Sequence, residues 1–165
     1  MVALRCLYLI ALVFWVGGMV ALGAFAAPAT FDVLEGYYGA TGRLQAGDVF
    51  DEMLRRFRHF EYGSAVVLLG SLGALGARDP KLPALAVRIG TVAIMLAVSL
   101  YAGFGIASQV AGLQAEIDGN LAAWTDSSLY AARFDRLYAQ TTMLLLLNLG
   151  LGLSLIYWEA RARIS

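Results

Sequence analysis

Four long apolar runs, separated by polar connections, constrain this chain more than any other feature. They cover residues 3–25, 57–77, 85–110 and 137–158. An α-helix needs about 20 apolar residues to cross the roughly 30 Å hydrocarbon core of a bilayer, and each run meets that length. The composition agrees, since 60% of the residues are hydrophobic and only 15% are charged. The sequence therefore predicts one all-α domain over residues 1–165, an integral membrane four-helix bundle.

Small residues recur at three- and four-residue spacing along two of the runs. These small-residue stripes consist of Gly17, Ala21, Ala24 and Pro28 in the first run, and of Gly63, Gly70, Ala74 and Ala77 in the second. Such stripes let helix backbones approach closely inside a membrane. We expect them to pack against other helices of the bundle, against other membrane subunits or against a second copy of the chain, with membrane lipid around them.

The polar connections differ in character. The glycine-rich stretch 29–46 and the polar stretch 113–128 are predicted to be loops. Between the first loop and the second run, Gly47–Tyr62 has apolar residues at helical spacing and charges elsewhere, which is typical of an amphipathic helix. A similar helix is predicted to lead into the fourth run. We therefore expect amphipathic helical extensions on the outer side of the bundle.

The two halves of the chain resemble each other. Arg56-Phe57-Arg58-His59-Phe60 precedes the second run, and Arg133-Phe134-Asp135-Arg136-Leu137 precedes the fourth, 77 positions later (133 − 56). In both places an amphipathic turn leads into an apolar span. The pattern predicts two helical hairpins related as a parallel repeat.

Charge placement predicts the orientation. The termini and the turn at residues 78–88 hold basic residues almost free of acids, namely Arg5, Arg78, Lys81, Arg88, Arg161 and Arg163. The opposite side has as many basic residues, but they accompany ten acids in two long connections, where the positive-inside rule is weaker. We therefore predict a multi-pass protein of a bacterial inner membrane with both termini in the cytoplasm. Cleavage of the first run as a signal peptide at Ala24-Phe25-Ala26 is the disfavoured alternative, because that run exceeds the usual length of about 7–15 residues.

The charged residues beside the second and fourth runs form the candidate site. We expect an outer-face polar cluster of Arg56, His59, Glu61, Asp135, Arg136 and Tyr138. These groups could form a functional site, but the favoured interpretation is that they balance one another without a ligand. In that case His59→Ala and Asp135→Asn should each lower thermal stability.

Few residues are available for catalysis, metal binding or nucleic-acid binding. His59 is the only histidine and Cys6 is the only cysteine, so one chain cannot form a bis-histidine haem site or an intrachain disulfide. Cys6 is expected to be buried and inert. No metal site, cofactor or catalytic residue is therefore predicted, and His59 remains a single ligand at most for a haem or a metal. The formal net charge of zero makes nucleic acid an unlikely partner.

Several short motifs resemble a known family. They are Trp15-Val16-Gly17-Gly18, Ala27-Pro28 with Phe31, Arg56-Phe57-x-x-Phe60 and Phe134-Asp135-x-Leu137-Tyr138. Together they resemble an uncharacterised four-helix bacterial membrane family, a domain of unknown function related to the vertebrate transmembrane protein linked to cisplatin resistance. That family commonly has a histidine where this chain has Tyr138, which puts in doubt any function needing that imidazole.

The first span is also similar, more remotely, to copper-resistance D proteins and to haem-binding protoporphyrinogen oxidases of the membrane. The oxidases carry a haem-ligating histidine about two turns before the tryptophan. This chain has Leu7-Tyr8-Leu9 there, and tyrosine is an uncommon haem ligand.

Three functions are compatible with the sequence. The favoured hypothesis is a non-catalytic accessory or structural subunit of a membrane assembly, because the small-residue stripes are suited to helix contacts and the span centres are free of charge. The alternative is a haem- or metal-linked redox membrane protein of the copper-resistance D type with His59 as a ligand. A small-solute or metal transporter is weaker, because charge-free span centres offer no binding groups.

Overall fold

The structure, a computed structural model, describes residues 2–78, 84–117 and 128–161, and these are helical almost throughout. The helices are α1 (Val2–Val20), α2 (Ala27–Tyr38), α3 (Ala40–Arg78), α4 (Leu85–Leu100), α5 (Ala107–Ile117) and α6 (Ser128–Arg161). Two π-helical segments, Ala21–Ala26 and Tyr101–Ile106, join α1 to α2 and α4 to α5. The described residues therefore form four long rods: α1 with α2, α3, α4 with α5, and α6.

All four rods are long and apolar enough to cross a membrane. This confirms the predicted all-α four-helix membrane fold. The chain is a multi-pass membrane protein.

The rods close into a ring in which α1 and α4 each pack against both α3 and α6. Its core consists of large side chains that recur every three or four residues along each rod. On α1 these are Tyr8, Leu12, Trp15 and Met19, which meet Leu68 and Leu72 of α3, Val92 and Met95 of α4, and Leu155 of α6. Large apolar side chains on the other faces, such as Phe14 and Val66, are exposed on the outside of the ring, where a bilayer would cover them.

The predicted loop at 29–46 is wrong, because these residues form α2 and the first turns of α3. The chain reverses at Gly39, whose φ of +60° is a conformation that favours glycine. Gly42 then allows α3 to lie directly against α2, since a Cβ there would come within 1.9 Å of the Leu34 carbonyl oxygen. The glycines that suggested a loop are used instead for close helix packing, and Phe31 of α2 contacts Phe50 of α3.

The second predicted loop, 113–128, is wrong in part. Helix α5 continues to Ile117 and α6 begins at Ser128. Residues 118–127 of this predicted loop lie outside the described residues, as do residues 79–83 of the predicted turn at 78–88.

The two π-helical segments occupy similar places in the two halves of the chain. Each interrupts the first rod of its half, and their starts at Ala21 and Tyr101 are 80 positions apart (101 − 21). Insertions of this kind often mark functional sites in helices. The second segment lies beside the site described below.

Cys6 is exposed on α1, contrary to the burial expected for it. Its position within an apolar run did not reveal which side of the helix it occupies. The buried residues of α1 lie at positions 8, 11, 12, 15, 16 and 19, and Cys6 falls on the outward side.

Candidate functional site

The structure does not gather the six residues of the predicted outer-face cluster into one site. Arg56 pairs with Glu52 on the surface of α3, and His59 directs Nδ1 towards the Arg55 carbonyl, 3.1 Å away. Asp135 forms an exposed ion pair with Arg43, 3.0 Å long, instead of facing His59. The two ion pairs, Arg56–Glu52 and Asp135–Arg43, are of the exposed kind that contributes little to stability.

The remaining three members are also separate. Arg136 is exposed. The ring of Tyr138 packs against Phe31 and Phe50, between α6 and the α2–α3 hairpin. Glu61 points into the bundle and is only 8% exposed. The prediction placed all six at one face because it used hydropathy alone, which does not determine the side of α3 on which each residue lies.

Glu61 is the centre of a buried polar network. The indole nitrogen of Trp15 donates a hydrogen bond to Glu61 Oε1, 3.3 Å away, and the Ser99 hydroxyl lies next to the carboxylate. Asn148 Nδ2 donates in turn to Ser99 Oγ (2.9 Å) and to the Met95 carbonyl (3.3 Å). Trp15, Glu61, Ser99 and Asn148 come from α1, α3, α4 and α6, so each of the four rods contributes one residue. We call these four residues the Glu61 network.

The Glu61 network lies at membrane depth. Trp15 is 13 residues from Val2, which corresponds to about 20 Å along an α-helix and falls inside a hydrocarbon core of about 30 Å. The expectation that span centres are free of charge therefore fails at Glu61. Its place near the start of the second apolar run suggested an interfacial position, but α3 begins 21 residues earlier (61 − 40) and Glu61 is level with the middle of the first run.

Arg58 brings a positive charge close to Glu61. Its Nη1 donates to the Gly103 carbonyl, 3.3 Å away, in the second π-helical segment. Only glycine leaves room for this contact at position 103. A Cβ there would come within 2.6 Å of the Tyr62 hydroxyl and 3.2 Å of Arg58 Cδ. The interruption of the helix thus provides a carbonyl and the space for the guanidinium to lie near the carboxylate.

A groove leads from the end of the bundle to this network. Its inner cleft is lined by Arg58, Glu61, Ser99 and Asn148 together with apolar side chains. The empty space in this cleft is about 430 Å³, which includes the space at its open side. An outer cleft of about 410 Å³ is lined by Asp51, Val110 and Tyr138, among others. Leu54 and Thr141 line both clefts, so the two adjoin along α3 and α6. We call them together the α3–α6 groove.

Two sequence motifs meet at the wall of this groove. On α1, Trp15 contacts Glu61, and Gly18 lies one turn further along. On α3, Phe57 lies one turn before Glu61, and its ring occupies the space where a Gly18 Cβ would be, 2.1 Å from Cε2. Two residue pairs therefore meet across one contact between α1 and α3: Trp15 lies against Glu61, and Gly18 lies against Phe57.

Sequence reasoning missed a second buried polar pair at the opposite end of the bundle. Arg88 Nη1 donates to Glu159 Oε2 (2.9 Å), and Nη2 donates to the Trp158 carbonyl (3.1 Å). Both side chains are nearly enclosed, with 4% and 11% exposure. Arg88 had been assigned to the positively charged connection, but its position on the inner side of α4, with Val92, Met95 and Ser99, could have indicated burial.

The two side chains considered as haem or metal ligands do not share a site. His59 is exposed near the Glu61 level, whereas Tyr8 is buried two turns further along α1, about 10 Å from Trp15. Among the residues that the structure describes, no three His, Cys, Asp or Glu side chains lie close enough to hold a metal ion.

Both small-residue stripes face outwards. Gly63, Gly70 and Gly73 of α3 are exposed with open space where a side chain would be, and so is Gly17 of α1. Within the described residues, these positions therefore do not mediate the packing of the bundle itself. Gly18 and Gly76, in contrast, lie against Phe57 and Leu85.

Comparison with known proteins identifies a family. A family model with the description "Domain of unknown function (DUF4149)" matches residues 10–118, which include Trp15, Arg58, Glu61 and Ser99. Neither the curated proteins nor the solved structures contain a match to this chain.

Proposed function

The chain belongs to the family described as a domain of unknown function (DUF4149), and we propose that it binds a small polar solute at Glu61, within the bilayer. The observation that carries this proposal is a carboxyl group only 8% exposed, at membrane depth, at the inner end of a groove. Ionisable groups inside a membrane are costly, and they commonly mark substrate or ion routes.

The groove supports a role in moving the solute as well as in binding it. It begins among Asp51 and Tyr138 at the end of the bundle and continues to Glu61 past Leu54 and Thr141. A membrane solute-binding or transport protein fits this arrangement, because the groove runs from the end of the bundle to a buried carboxyl group.

The proposal can be tested with a hydrophobic carbodiimide. The reagent takes up the proton of a carboxylic acid and bonds its central carbon to the carboxylate oxygen; acyl migration then leaves a stable N-acylurea, which adds the mass of the whole reagent. In phosphatidylcholine vesicles we expect the label on Glu61, identified by peptide mass spectrometry, and none there in Glu61→Gln. Glu52 is the matched control, because it is exposed on the same helix and should react with a water-soluble carbodiimide instead. An unlabelled Glu61 would contradict the proposal.

A second candidate function is the accessory or structural subunit. It is supported by the outward stripe of Gly63, Gly70 and Gly73, where a partner helix could approach the α3 backbone closely. Gly70→Ile should then abolish co-migration with a partner on a native gel without changing thermal stability. Gly112→Ile is the control, since Gly112 is equally open on α5. A single monodisperse species before and after the change would argue against this function.

We also propose a bacterial inner-membrane location with both chain termini in the cytoplasm. The distribution of basic residues supports this, because Arg5, Arg78 and Arg161 belong to the same end of the bundle. A relation to the vertebrate protein linked to cisplatin resistance rests on the motifs around Trp15 and Phe57. A haem- or metal-linked redox function of the copper-resistance D type has less support, because His59 and Tyr8 lie at different levels of the bundle.

A further inference from the structure

We infer that the ligand of the Glu61 site is a neutral amphiphile with at least one hydrogen-bond donor, of the long-chain alcohol class. This inference rests on the proposed function and specifies the chemistry of its ligand. It follows from three features of the inner cleft: its unused acceptors, its balance of charge and its apolar walls.

The cleft contains a buried acceptor without a partner. Asn148 is 3% exposed and lines the inner cleft, and among the described residues its Oδ1 has no hydrogen-bond partner. The orientation of this amide is fixed by the Met95 carbonyl, which can only accept and therefore must face Nδ2. A buried acceptor left unpaired is costly, so a donor from the ligand would satisfy Oδ1.

Glu61 provides the second acceptor. The Trp15 indole donates to Oε1 from 3.3 Å away, and Arg58 lies nearby. A carboxylate has about four lone-pair sites, so one donor leaves acceptor capacity free. The lining thus presents acceptors at Glu61 and Asn148, and the single cationic group, Arg58, is already bonded to Gly103.

Charge balance favours a neutral ligand. Arg58 is the one basic residue and Glu61 the one acidic residue in the lining of the inner cleft, so their formal charges cancel. An ammonium group or a carboxylate would leave one uncompensated charge at membrane depth, which is strongly disfavoured in a medium of low dielectric constant. A hydroxyl group provides the donor without the charge.

The remaining lining suits a hydrocarbon tail. Met19, Phe57, Leu144 and Leu145 form apolar walls, and the cleft is open on one side. A molecule dissolved in the bilayer could therefore place its hydroxyl at Glu61 and leave its chain along these side chains.

The test uses the full chain in phosphatidylcholine nanodiscs, whose headgroup has no hydrogen-bond donor. The probes are 1-decanol, decyl methyl ether, decylammonium and decanoate at equal mole fractions, and the readout is the midpoint of thermal unfolding. At a tenfold excess over its half-saturating mole fraction, decanol should raise the midpoint by about 3–6 °C. The ether lacks only the donor hydrogen and should not raise it.

Variants locate the effect. Glu61→Gln keeps the shape of the side chain but replaces the charged acceptor, so it should weaken the decanol effect about fivefold to tenfold in mole fraction. Glu52→Gln, on the exposed surface of the same helix, should leave the decanol effect unchanged.

The outcomes separate this inference from the proposed function. Equal shifts by decanol and its ether, or a larger shift by decylammonium or decanoate, would refute the ligand class while Glu61 stays labelled by the carbodiimide. Absence of any shift with Glu61 still labelled would also refute it. Loss of the label itself would instead overturn the proposed site.

Discussion

Removing one partner of the Arg88–Glu159 ion pair should destabilise the protein severely. The two side chains are 4% and 11% exposed, and 2.9 Å separates Arg88 Nη1 from Glu159 Oε2. Glu159→Gln removes the negative charge but keeps the shape, so the Arg88 cation stays buried without a counter-charge. Breaking a buried pair in this way costs about 3–5 kcal/mol.

The expected change is large enough to measure by thermal unfolding. For a chain of this size, each kcal/mol lowers the midpoint by about 2–4 °C, so Glu159→Gln should lower it by about 6–20 °C. The double variant Arg88→Met/Glu159→Leu replaces both charges with apolar groups and should recover most of the loss, because uncharged substitutes avoid the cost of burying ions. Circular dichroism of the purified protein in nanodiscs would follow both midpoints.

An exposed ion pair provides the control. Arg43 and Asp135 are 47% and 60% exposed at their side chains, so Asp135→Asn should cost no more than about 0–1 kcal/mol. If Glu159→Gln lowers the midpoint no further than Asp135→Asn, or if the double variant is less stable than the single one, the reasoning from burial is refuted. The sequence alone predicted that Asp135→Asn would lower thermal stability; the exposure of this ion pair now predicts little or no change.

Two glycine substitutions test the helix contacts around the groove. Gly18→Ala should cost about 1–3 kcal/mol through overpacking, and Phe57→Leu should relieve much of that cost, because the obstructing atoms belong to the Phe57 ring. Gly42→Ala should cost as much or more, and no side-chain change should rescue it, because the obstructing atom is the Leu34 carbonyl oxygen in the backbone. Gly17→Ala, which enters open space, should leave the unfolding midpoint unchanged and is the control for both.

The sequence predicted the four spans because the bilayer imposes a simple requirement. A helix within the hydrocarbon core needs about 20 consecutive apolar residues, and that pattern is visible without knowing any contact. The same reasoning failed at residues 29–46, where glycine was taken as a loop signal. Glycine costs a helix only about 1 kcal/mol relative to alanine. The contact of Gly42 with α2 and the ring contact of Phe31 with Phe50 outweigh that preference.

The depth of charged residues could not be predicted from one helix at a time. Glu61 and Arg88 both lie near the start of an apolar run, and hydropathy placed both at an interface. Each is buried because neighbouring rods extend alongside it: Trp15 and Ser99 beside Glu61, and Glu159 beside Arg88. The apolar run of a single helix therefore gives the length of the span but not the environment of its first residues.

The composition of the Glu61 network implies how a ligand would affect the whole bundle. Trp15, Ser99 and Asn148 reach Glu61, directly or through Ser99, from three different rods, and α3 carries Glu61 itself. A ligand that takes a hydrogen bond from this network, or adds one to it, acts on all four rods at the same level. Arg58, which lies near Glu61, also links α3 to the second π-helical segment through its hydrogen bond to Gly103. A displacement of the Glu61 side chain would therefore also affect this irregular part of the α4–α5 rod. A solute bound in the α3–α6 groove, as proposed, would therefore act on the packing of α4 through direct contacts.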